Sequence, residues 1–216
     1  MLEIVLIGLN HKTAPVELRE CLAFSGKDSH RSAFFFREAS AVREVVILST
    51  CNRVEILMAA EERREAAETA KRFIAESRQT PVSRFEGSLY VHEGQEAVRH
   101  VFRVASSLDS LVVGEPQILG QIKEAYREAT EMKTSGVVLN RLLHKAFFVA
   151  KRVRHETGIG DHAVSISYAA VELAKKIFGE LAGKKALLIG AGEMAELAVE
   201  HLNGEGDGGM LSTFSS

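Results

Sequence analysis

One short segment of the chain carries residues that could do covalent chemistry. Cys51 follows a run typical of a strand, residues 44–50, and is flanked by Thr50, Asn52 and Arg53. A cysteine thiol is mostly protonated at neutral pH, and a nearby cation such as Arg53 favours the nucleophilic thiolate. The alternative is that Cys51 is a small buried core residue, the usual position of an intracellular cysteine. Polar neighbours at the end of a strand favour a reactive thiol.

A thiol nucleophile needs a proton acceptor, and His100 is our candidate. It lies on a predicted helix that precedes LDSLVVGEPQ, an apolar loop of the kind that lines a site. His11, in the turn after the first predicted strand, competes for this role. A helical histidine without a catalytic role is the remaining alternative. Cys21 lies in an amphipathic segment without such neighbours, and we assign it to packing.

A second segment predicts a nucleotide site. Residues 190–195, GAGEMA, follow the apolar strand KKALLI and precede the helix EMAELAVEHL, which is the context of a dinucleotide-binding turn. In such a turn Gly190 permits the tight bend and Gly192 lets a pyrophosphate approach the backbone. The helix amides near Glu193 then bind the pyrophosphate. The alternative is an ordinary strand-to-helix turn without a cofactor.

The composition is typical of a globular protein and excludes several functional classes. Of 216 residues, 46% are apolar and 26% charged, and the net charge of -2 excludes a polycation that coats nucleic acid. Two cysteines and no Cys/His cluster give neither a disulfide framework nor a metal site. The N-terminal apolar run lacks the basic region and the small-residue cleavage site typical of a signal peptide, and no run reaches the roughly 18 apolar residues of a membrane span. We expect a cytoplasmic protein without membrane attachment.

Basic residues are concentrated in one stretch, residues 133–155, which contains no acidic residue. They are Lys133, Arg141, Lys145, Lys151, Arg152 and Arg154. Such a face could follow RNA phosphates. The pattern fits the solvated face of an amphipathic helix equally well.

The elements that position these residues indicate two domains. The order strand, helix, two adjacent strands, helix, strand is the split βαβ pattern of a ferredoxin-like α+β sheet. The strands are predicted at residues 2–9, 44–50, 54–58 and 89–92, and further helices at residues 95–107, 118–132 and 137–157. We predict a catalytic domain with a helical linker at 1–157 and the start of a Rossmann-type α/β dinucleotide-binding domain at 158–202. The Gly/Ser-rich residues 203–216 are expected to form a disordered tail that lacks the second strand of that domain.

Four separated motifs together resemble the glutamyl-tRNA reductase family. They are GLNHKTAPVELRE at 8–20, LSTCNRVE at 48–55, ASSLDSLVVGEPQILGQIKEAY at 105–126 and the GAGEMA turn. The resemblance covers residues 2–202 and implies that Cys51 is the nucleophile and His100 is important for activity. It implies substrate contacts at Thr50, Asn52, Arg53, Ser110, Glu115, Pro116, Gln117 and Gln121. We infer that the planar fork of Arg53 binds the carboxylate of the glutamyl side chain.

The resemblance also implies a reaction. In this family glutamyl-tRNA is reduced with NADPH to glutamate-1-semialdehyde through a cysteine thioester, the first step of tetrapyrrole (porphyrin) biosynthesis. NADPH is expected at Gly190, Ala191, Gly192, Glu193, Met194 and Ala195. Glutamate-1-semialdehyde aminomutase is the implied acceptor of the product. The resemblance implies a homodimer, and we expect these 216 residues to be a C-terminally truncated form that lacks the family's dimerisation domain.

Three functions therefore compete. The first is the complete oxidoreductase. The second is a fragment that binds glutamyl-tRNA and forms or hydrolyses the thioester but cannot reduce it, because its dinucleotide unit stops early. The third, an unrelated cysteine-dependent acyltransferase, would not require the LDSLVVGEPQ loop.

Overall fold

Four strands form one antiparallel sheet in the computed structural model, which describes residues 2–25, 28–159, 166–181, 183–189, 193–203 and 212–214. The strands are β1 (Glu3–Asn10), β2 (Val42–Ser49), β3 (Arg53–Ala60) and β4 (Tyr90–Glu93). Their order in the sheet is β2-β3-β1-β4, and each neighbouring pair is antiparallel. All four predicted strands are confirmed, and so is the hairpin between the second and third strands.

Helices separate and follow these strands. They are α1 (Val16–Leu22), α2 (Ser29–Glu38), α3 (Arg63–Arg78), α4 (Gly94–Ala105), α5 (Gln117–Glu131) and α6 (Val137–Thr157). Two short 3-10 turns, Val82–Arg84 and Glu86–Ser88, connect α3 to β4. Pro15 directly precedes α1, as its fixed backbone angle suggests. The predicted bounds of α6 agree with the structure at both ends.

Both faces of the sheet are covered by helices. On one face Val5 and Ile7 of β1 belong to a core that includes Phe73 of α3. On the other face Leu6 of β1 belongs to a second core, built with α4, α5 and α6, that includes Leu143. A strand covered on both faces needs apolar residues at consecutive positions, because successive side chains point to opposite sides. This explains the continuous apolar run of β1.

The chain divides into two compact units, Met1–Gly160 and Asp161–Ser216. The second contains α7 (Ile166–Phe178), β5 (Leu187–Ile189), α8 (Glu193–Asn203) and β6 (Ser212–Phe214). β5 and β6 are parallel, with Leu188 opposite Thr213.

The expectation that the tail is disordered and lacks a second parallel strand is wrong at Ser212–Phe214. A strand that joins an existing neighbour is held by backbone hydrogen bonds. Three residues can therefore pair without the longer apolar run that sequence patterns rely on.

The described residues contain no helix of the length and hydropathy that a membrane span requires. Among the same residues, no cluster of three or more His, Cys, Asp or Glu side chains is arranged to hold a metal ion.

Candidate active site

Cys51 lies at the tip of the β2–β3 hairpin, and it is exposed. Thr50 closes the turn: its N–H donates to the Arg53 carbonyl at 2.8 Å, and its hydroxyl accepts from the backbone N–H groups of Asn52 and Arg53, each at 3.1 Å. The hydroxyl of Thr50, a predicted substrate contact, therefore shapes the turn. The exposed position excludes the alternative that Cys51 is a core residue.

Cys21 is exposed as well, which corrects its assignment to packing. It lies in α1, where Leu22 is the buried residue. The Cys21 Sγ is 3.7 Å from Oγ1 of Thr80. The amphipathic pattern predicted the helix correctly. It assigned Cys21 to the buried face, which in the structure carries the next residue, Leu22.

Two other segments fix the hairpin tip. The N–H of His11, just after β1, donates to the Asn52 carbonyl at 2.9 Å. Arg19 of α1 donates from Nη1 to the Cys51 carbonyl at 2.5 Å and to Asn52 Oδ1 at 3.1 Å. The cation that contacts the backbone of Cys51 is thus Arg19, which the sequence reasoning missed although it lies within the first motif.

Arg53 is buried, with 1% of its surface exposed, and it joins the hairpin to the loop that follows α4. Its Nη1 donates to Glu55 Oε1 at 2.7 Å, and its Nη2 donates to the carbonyl and Oδ2 of Asp109 at 2.5 and 3.2 Å. Lys12 forms a second ion pair with Asp109 at 2.6 Å. Carboxylates of the chain thus contact both terminal nitrogens of Arg53. Binding of a substrate carboxylate by the fork of Arg53 stays a prediction.

His100 reaches this network through Glu55. Oε1 of the buried Glu55 lies 2.7 Å from His100 Nε2 and accepts a hydrogen bond from the Tyr90 hydroxyl at 2.5 Å. Burial opposes ionisation of Glu55, but the hydrogen bond from His100 and the charge of Arg53 lower its pKa overall. Burial and the charge of Glu55 raise the pKa of Tyr90, which therefore stays protonated.

Asp109 is the second carboxylate of the network. Burial alone would raise its pKa, but the hydrogen bond from Lys12 and the charge of Arg53 lower it overall. Glu55 and Asp109 are thus both ionised at neutral pH. Neither carboxylate was predicted to have a role, because acidic residues are usually exposed.

The competing histidine, His11, is held in its neutral form. Burial and the charges of Lys12 and Arg53 lower the pKa of His11. Its Nδ1 is buried and forms no hydrogen bond with the residues that the structure describes.

A side chain of α6 anchors the loop. Arg154 donates from Nη2 to Ser107 Oγ at 3.0 Å, to the Gly114 carbonyl at 2.8 Å and to the Glu115 carbonyl. Ser107 Oγ in turn donates to the Glu115 carbonyl at 2.6 Å. The backbone of Glu115, a predicted substrate contact, is therefore part of the loop's own structure.

Ser110 lies in the same loop with its hydroxyl buried. Its Oγ has no hydrogen-bond partner among the described residues. Buried polar atoms are nearly always satisfied, so an orphan at a predicted contact is available to a ligand.

The remaining predicted contacts lie at the start of α5. Pro116 precedes the helix and Gln117 is its first residue. Gln121 lines a cavity of about 190 Å³, together with Ser49 at the end of β2. Gln121 thus lies beside the end of β2.

The basic stretch of α6 does not form one uniform face. Arg154 is directed into the loop, and Arg152 forms an ion pair with Glu156 at 2.6 Å. Arg141, Lys145 and Lys151 are exposed. The charge asymmetry read from residues 133–155 is thus reduced by an acidic residue just beyond it.

The predicted cofactor turn falls partly outside the described residues. Gly190, Ala191 and Gly192 lie in that gap, while Glu193, Met194 and Ala195 open α8. The flanking β5, α8 and β6 follow one another along the chain, and β5 and β6 are parallel.

An exposed cysteine at a hairpin tip, two residues before an arginine that belongs to a buried histidine–carboxylate network, is the kind of site found in enzymes that use a thiol nucleophile. Comparison with known proteins specifies the class. Residues 7–157 match the family model described as glutamyl-tRNA(Glu) reductase, N-terminal domain, and residues 172–211 match that of shikimate/quinate 5-dehydrogenase. The chain belongs to the glutamyl-tRNA reductase family.

Individual relatives agree with this assignment. The chain is 62% identical over 201 residues to glutamyl-tRNA reductase of Desulfatibacillum aliphaticivorans, covering 93% of this chain and 46% of the relative. It is 58% identical over 210 residues to that of Syntrophobacter fumaroxidans, covering 95% and 45%. The solved structure of glutamyl-tRNA reductase from Methanopyrus kandleri matches with a TM-score of 0.66 and 36% identity, over 98% of this chain and 49% of that one. The chain thus spans about half the length of these relatives.

Proposed function

We propose that the chain carries the glutamyl-accepting site of an NADPH-dependent glutamyl-tRNA reductase, an enzyme of tetrapyrrole biosynthesis that forms glutamate-1-semialdehyde. The observation that carries the proposal is the exposed Cys51 on a hairpin fixed by His11 and Arg19. An aminoacyl ester is activated, so a positioned thiolate can displace the tRNA.

The proposed acylation balances in atoms and protons. Cys51 gives its thiol proton to His100, and Sγ forms a bond to the glutamyl carbonyl carbon. The bond from that carbon to the ribose oxygen breaks, and His100 returns the proton to the departing hydroxyl. A thioester on Cys51 and free tRNA result.

The remaining residues divide between binding and positioning. We assign Ser110 to the glutamyl group, because its buried hydroxyl lacks a partner among the described residues. We assign Gln117 and Gln121, both in α5, to binding of the substrate as well. Thr50 and Arg53 hold the hairpin by the contacts described above.

For the cofactor, the β5–α8–β6 unit supports binding at residues 190–195. When bound there, NADPH supplies the hydride that reduces the thioester. The start of α8 holds its pyrophosphate through backbone N–H groups.

We also assign the fold more finely. The antiparallel order β2-β3-β1-β4 supports a ferredoxin-like core, to which α4, α5 and α6 add a layer on the second face. The parallel β5 and β6 support the beginning of a Rossmann-type domain.

The test uses radiolabelled glutamyl-tRNA without NADPH, followed by acid quench and measurement of label bound to the chain. Wild type is expected to acquire label and Cys51→Ser to acquire none. Cys21→Ser, which removes the other exposed thiol, is the matched control and is expected to label normally. Equal labelling of Cys51→Ser and wild type would refute the proposal.

Adding NADPH tests the second half of the reaction. Glutamate-1-semialdehyde is expected in wild type only when NADPH is present. Free glutamate without semialdehyde would instead identify a chain that forms and hydrolyses the thioester without reducing it.

A further inference from the structure

A single oxygen atom, Oε1 of Glu55, receives three polar contacts. Arg53 Nη1 and His100 Nε2 each lie at 2.7 Å and the Tyr90 hydroxyl at 2.5 Å. Glu55 is 4% exposed, so water does not compete for this atom. A carboxylate this enclosed is stable as an anion only when its surroundings donate to it.

The protonation of the three donors follows from this arrangement. A guanidinium only donates, and an ionised carboxylate only accepts. Nε2 of His100 must therefore carry a hydrogen in order to face Oε1 at hydrogen-bond distance. In a neutral imidazole the other nitrogen, Nδ1, then holds the lone pair.

Packing keeps the ring of His100 in this orientation. The ring of His92 lies with its centroid 4.6 Å away at an interplanar angle of 31°, and the ring of Tyr90 lies at 5.4 Å. The described residues form no hydrogen bond with Nδ1, so this nitrogen is the one left to act on another group.

We propose that Glu55 is a positioning residue that holds His100 as its Nε2–H tautomer, so that Nδ1 is the atom that accepts the proton of the nucleophilic thiol. The last clause rests on the function proposed for Cys51, whereas the tautomer does not. In the acylation step Nδ1 takes the proton from Cys51 Sγ and later gives it to the departing ribose oxygen, while Nε2–H stays bonded to Glu55.

The tautomer can be measured without any substrate. A long-range ¹H–¹⁵N correlation spectrum of the ¹⁵N-labelled full chain, recorded at about pH 8 where imidazoles are largely neutral, distinguishes the two forms. The signals of His100 are assigned by their loss in His100→Asn. The expected result is the Nε2–H form. A wild-type His100 in the Nδ1–H form would overturn the proposal.

The variant Glu55→Leu tests the link to catalysis. It removes the carboxylate oxygen that Arg53, Tyr90 and His100 share, so nothing at that position requires a hydrogen on Nε2 and the other tautomer of His100 becomes populated. We expect a loss of about 10²- to 10⁴-fold in the rate constant of acylation, as in triads with a mis-set tautomer. The KM for glutamyl-tRNA is expected to change less than about threefold, because no substrate contact is removed.

Tyr90→Phe is the matched variant, because it removes one donor from Oε1 but leaves the carboxylate. Its His100 is expected to remain in the Nε2–H form. If Glu55→Leu and Tyr90→Phe lose the same activity with the same tautomer, Glu55 has only a structural role and the proposal fails. A wild type with the expected tautomer and no acylation would instead refute the proposed function and leave the tautomer assignment intact.

Discussion

Arg53 and Asp109 are 56 positions apart in the sequence, yet Arg53 Nη2 lies 2.5 Å from the carbonyl oxygen and 3.2 Å from Oδ2 of Asp109. Lys12 binds the other carboxylate oxygen at 2.6 Å. The segments that carry three of the sequence motifs thus converge on one carboxylate. The precision of the site depends on this convergence, because neither the hairpin nor the loop is held in place by its own hydrogen bonds alone.

Removing the charge of Asp109 is expected to destabilise the fold. Asp109→Asn leaves the buried Arg53 with one carboxylate, Glu55, and should lower the free energy of unfolding by about 2–3 kcal/mol. Urea unfolding at pH 7 measures this. Lys12→Ala removes the half-exposed partner of the same carboxylate, whose side chain is 54% exposed, and should cost less than about 1 kcal/mol. Equal losses of unfolding free energy would contradict the prediction that the buried Arg53–Asp109 pair contributes more than the half-exposed Lys12–Asp109 pair.

The same carboxylates predict how stability depends on pH. The folded state lowers the pKa of Glu55 and Asp109, so their contribution is complete above the ordinary carboxyl range near pH 4 and is lost as pH falls through the folded values. We expect the urea midpoint to decline below about pH 4. Glu55→Gln removes one titrating group and should show a shallower decline. A midpoint that is constant from pH 5 to pH 3 would show that the pKa values are not lowered.

Much of the fold could be predicted because the sequence pattern is local. The two-sided apolar run of β1 predicted a buried strand, and in the structure its two faces pack into two separate hydrophobic cores. The predicted bounds of α6, residues 137–157, agree with the structure, where the helix lies between Gly136 and Gly158. The short β6 could not be predicted, since its pairing depends on β5 and not on its own residues.

The site was predicted only in part for a related reason. Cys51 stands out by its neighbours in sequence, but the partners of Arg53 do not. Glu55 lies in β3, and the alternation of apolar and polar residues along that strand does not indicate that it is buried beside Arg53. Asp109 lies in a loop that is distant in the sequence. Arg154 looked like one of several basic surface residues, yet its partners lie in another loop. The periodic spacing of apolar residues along the sequence does not indicate long-range polar pairs of this kind.

Arg154 gives a prediction about the loop that holds Ser110. In Arg154→Ala the loop loses its three hydrogen bonds from Arg154, and the Gly114 carbonyl loses its side-chain donor, so the loop should open more often and its backbone amides should exchange faster. The Gly114 N–H, which donates to the Ser107 carbonyl at 3.1 Å, is expected to exchange at least about tenfold faster. Hydrogen exchange followed by mass spectrometry or NMR measures this.

Arg152→Ala is the matched control for that experiment. Arg152 lies on the same helix, is exposed and pairs with Glu156. Its removal should leave exchange at Gly114 unchanged, because exposed pairs within a helix contribute little. Faster exchange in both variants would indicate a general loosening of α6 and not the loss of a specific anchor.

Glu44 of β2 caps α6, and the tight contact at Gly136 makes this cap testable by a double-mutant cycle. Glu44 accepts from the N–H groups of Val138 at 3.0 Å and Leu139 at 2.7 Å. A Cβ atom on Gly136 would lie 2.6 Å from Glu44 Oε1. Glu44→Ala should cost about 1–3 kcal/mol of unfolding free energy, because buried N–H groups lose their acceptor. Gly136→Ala should cost about as much by pushing the carboxylate away.

The double variant decides whether both losses arise from the same contact. Once Glu44 is truncated to alanine, the space beside Gly136 is open, so the added Cβ no longer displaces an acceptor. The combined loss in Glu44→Ala/Gly136→Ala is therefore expected to fall short of the sum of the single losses by at least about 1 kcal/mol. Urea unfolding of the four proteins gives the coupling. Additivity within about 0.5 kcal/mol would mean that the cap and the glycine act independently.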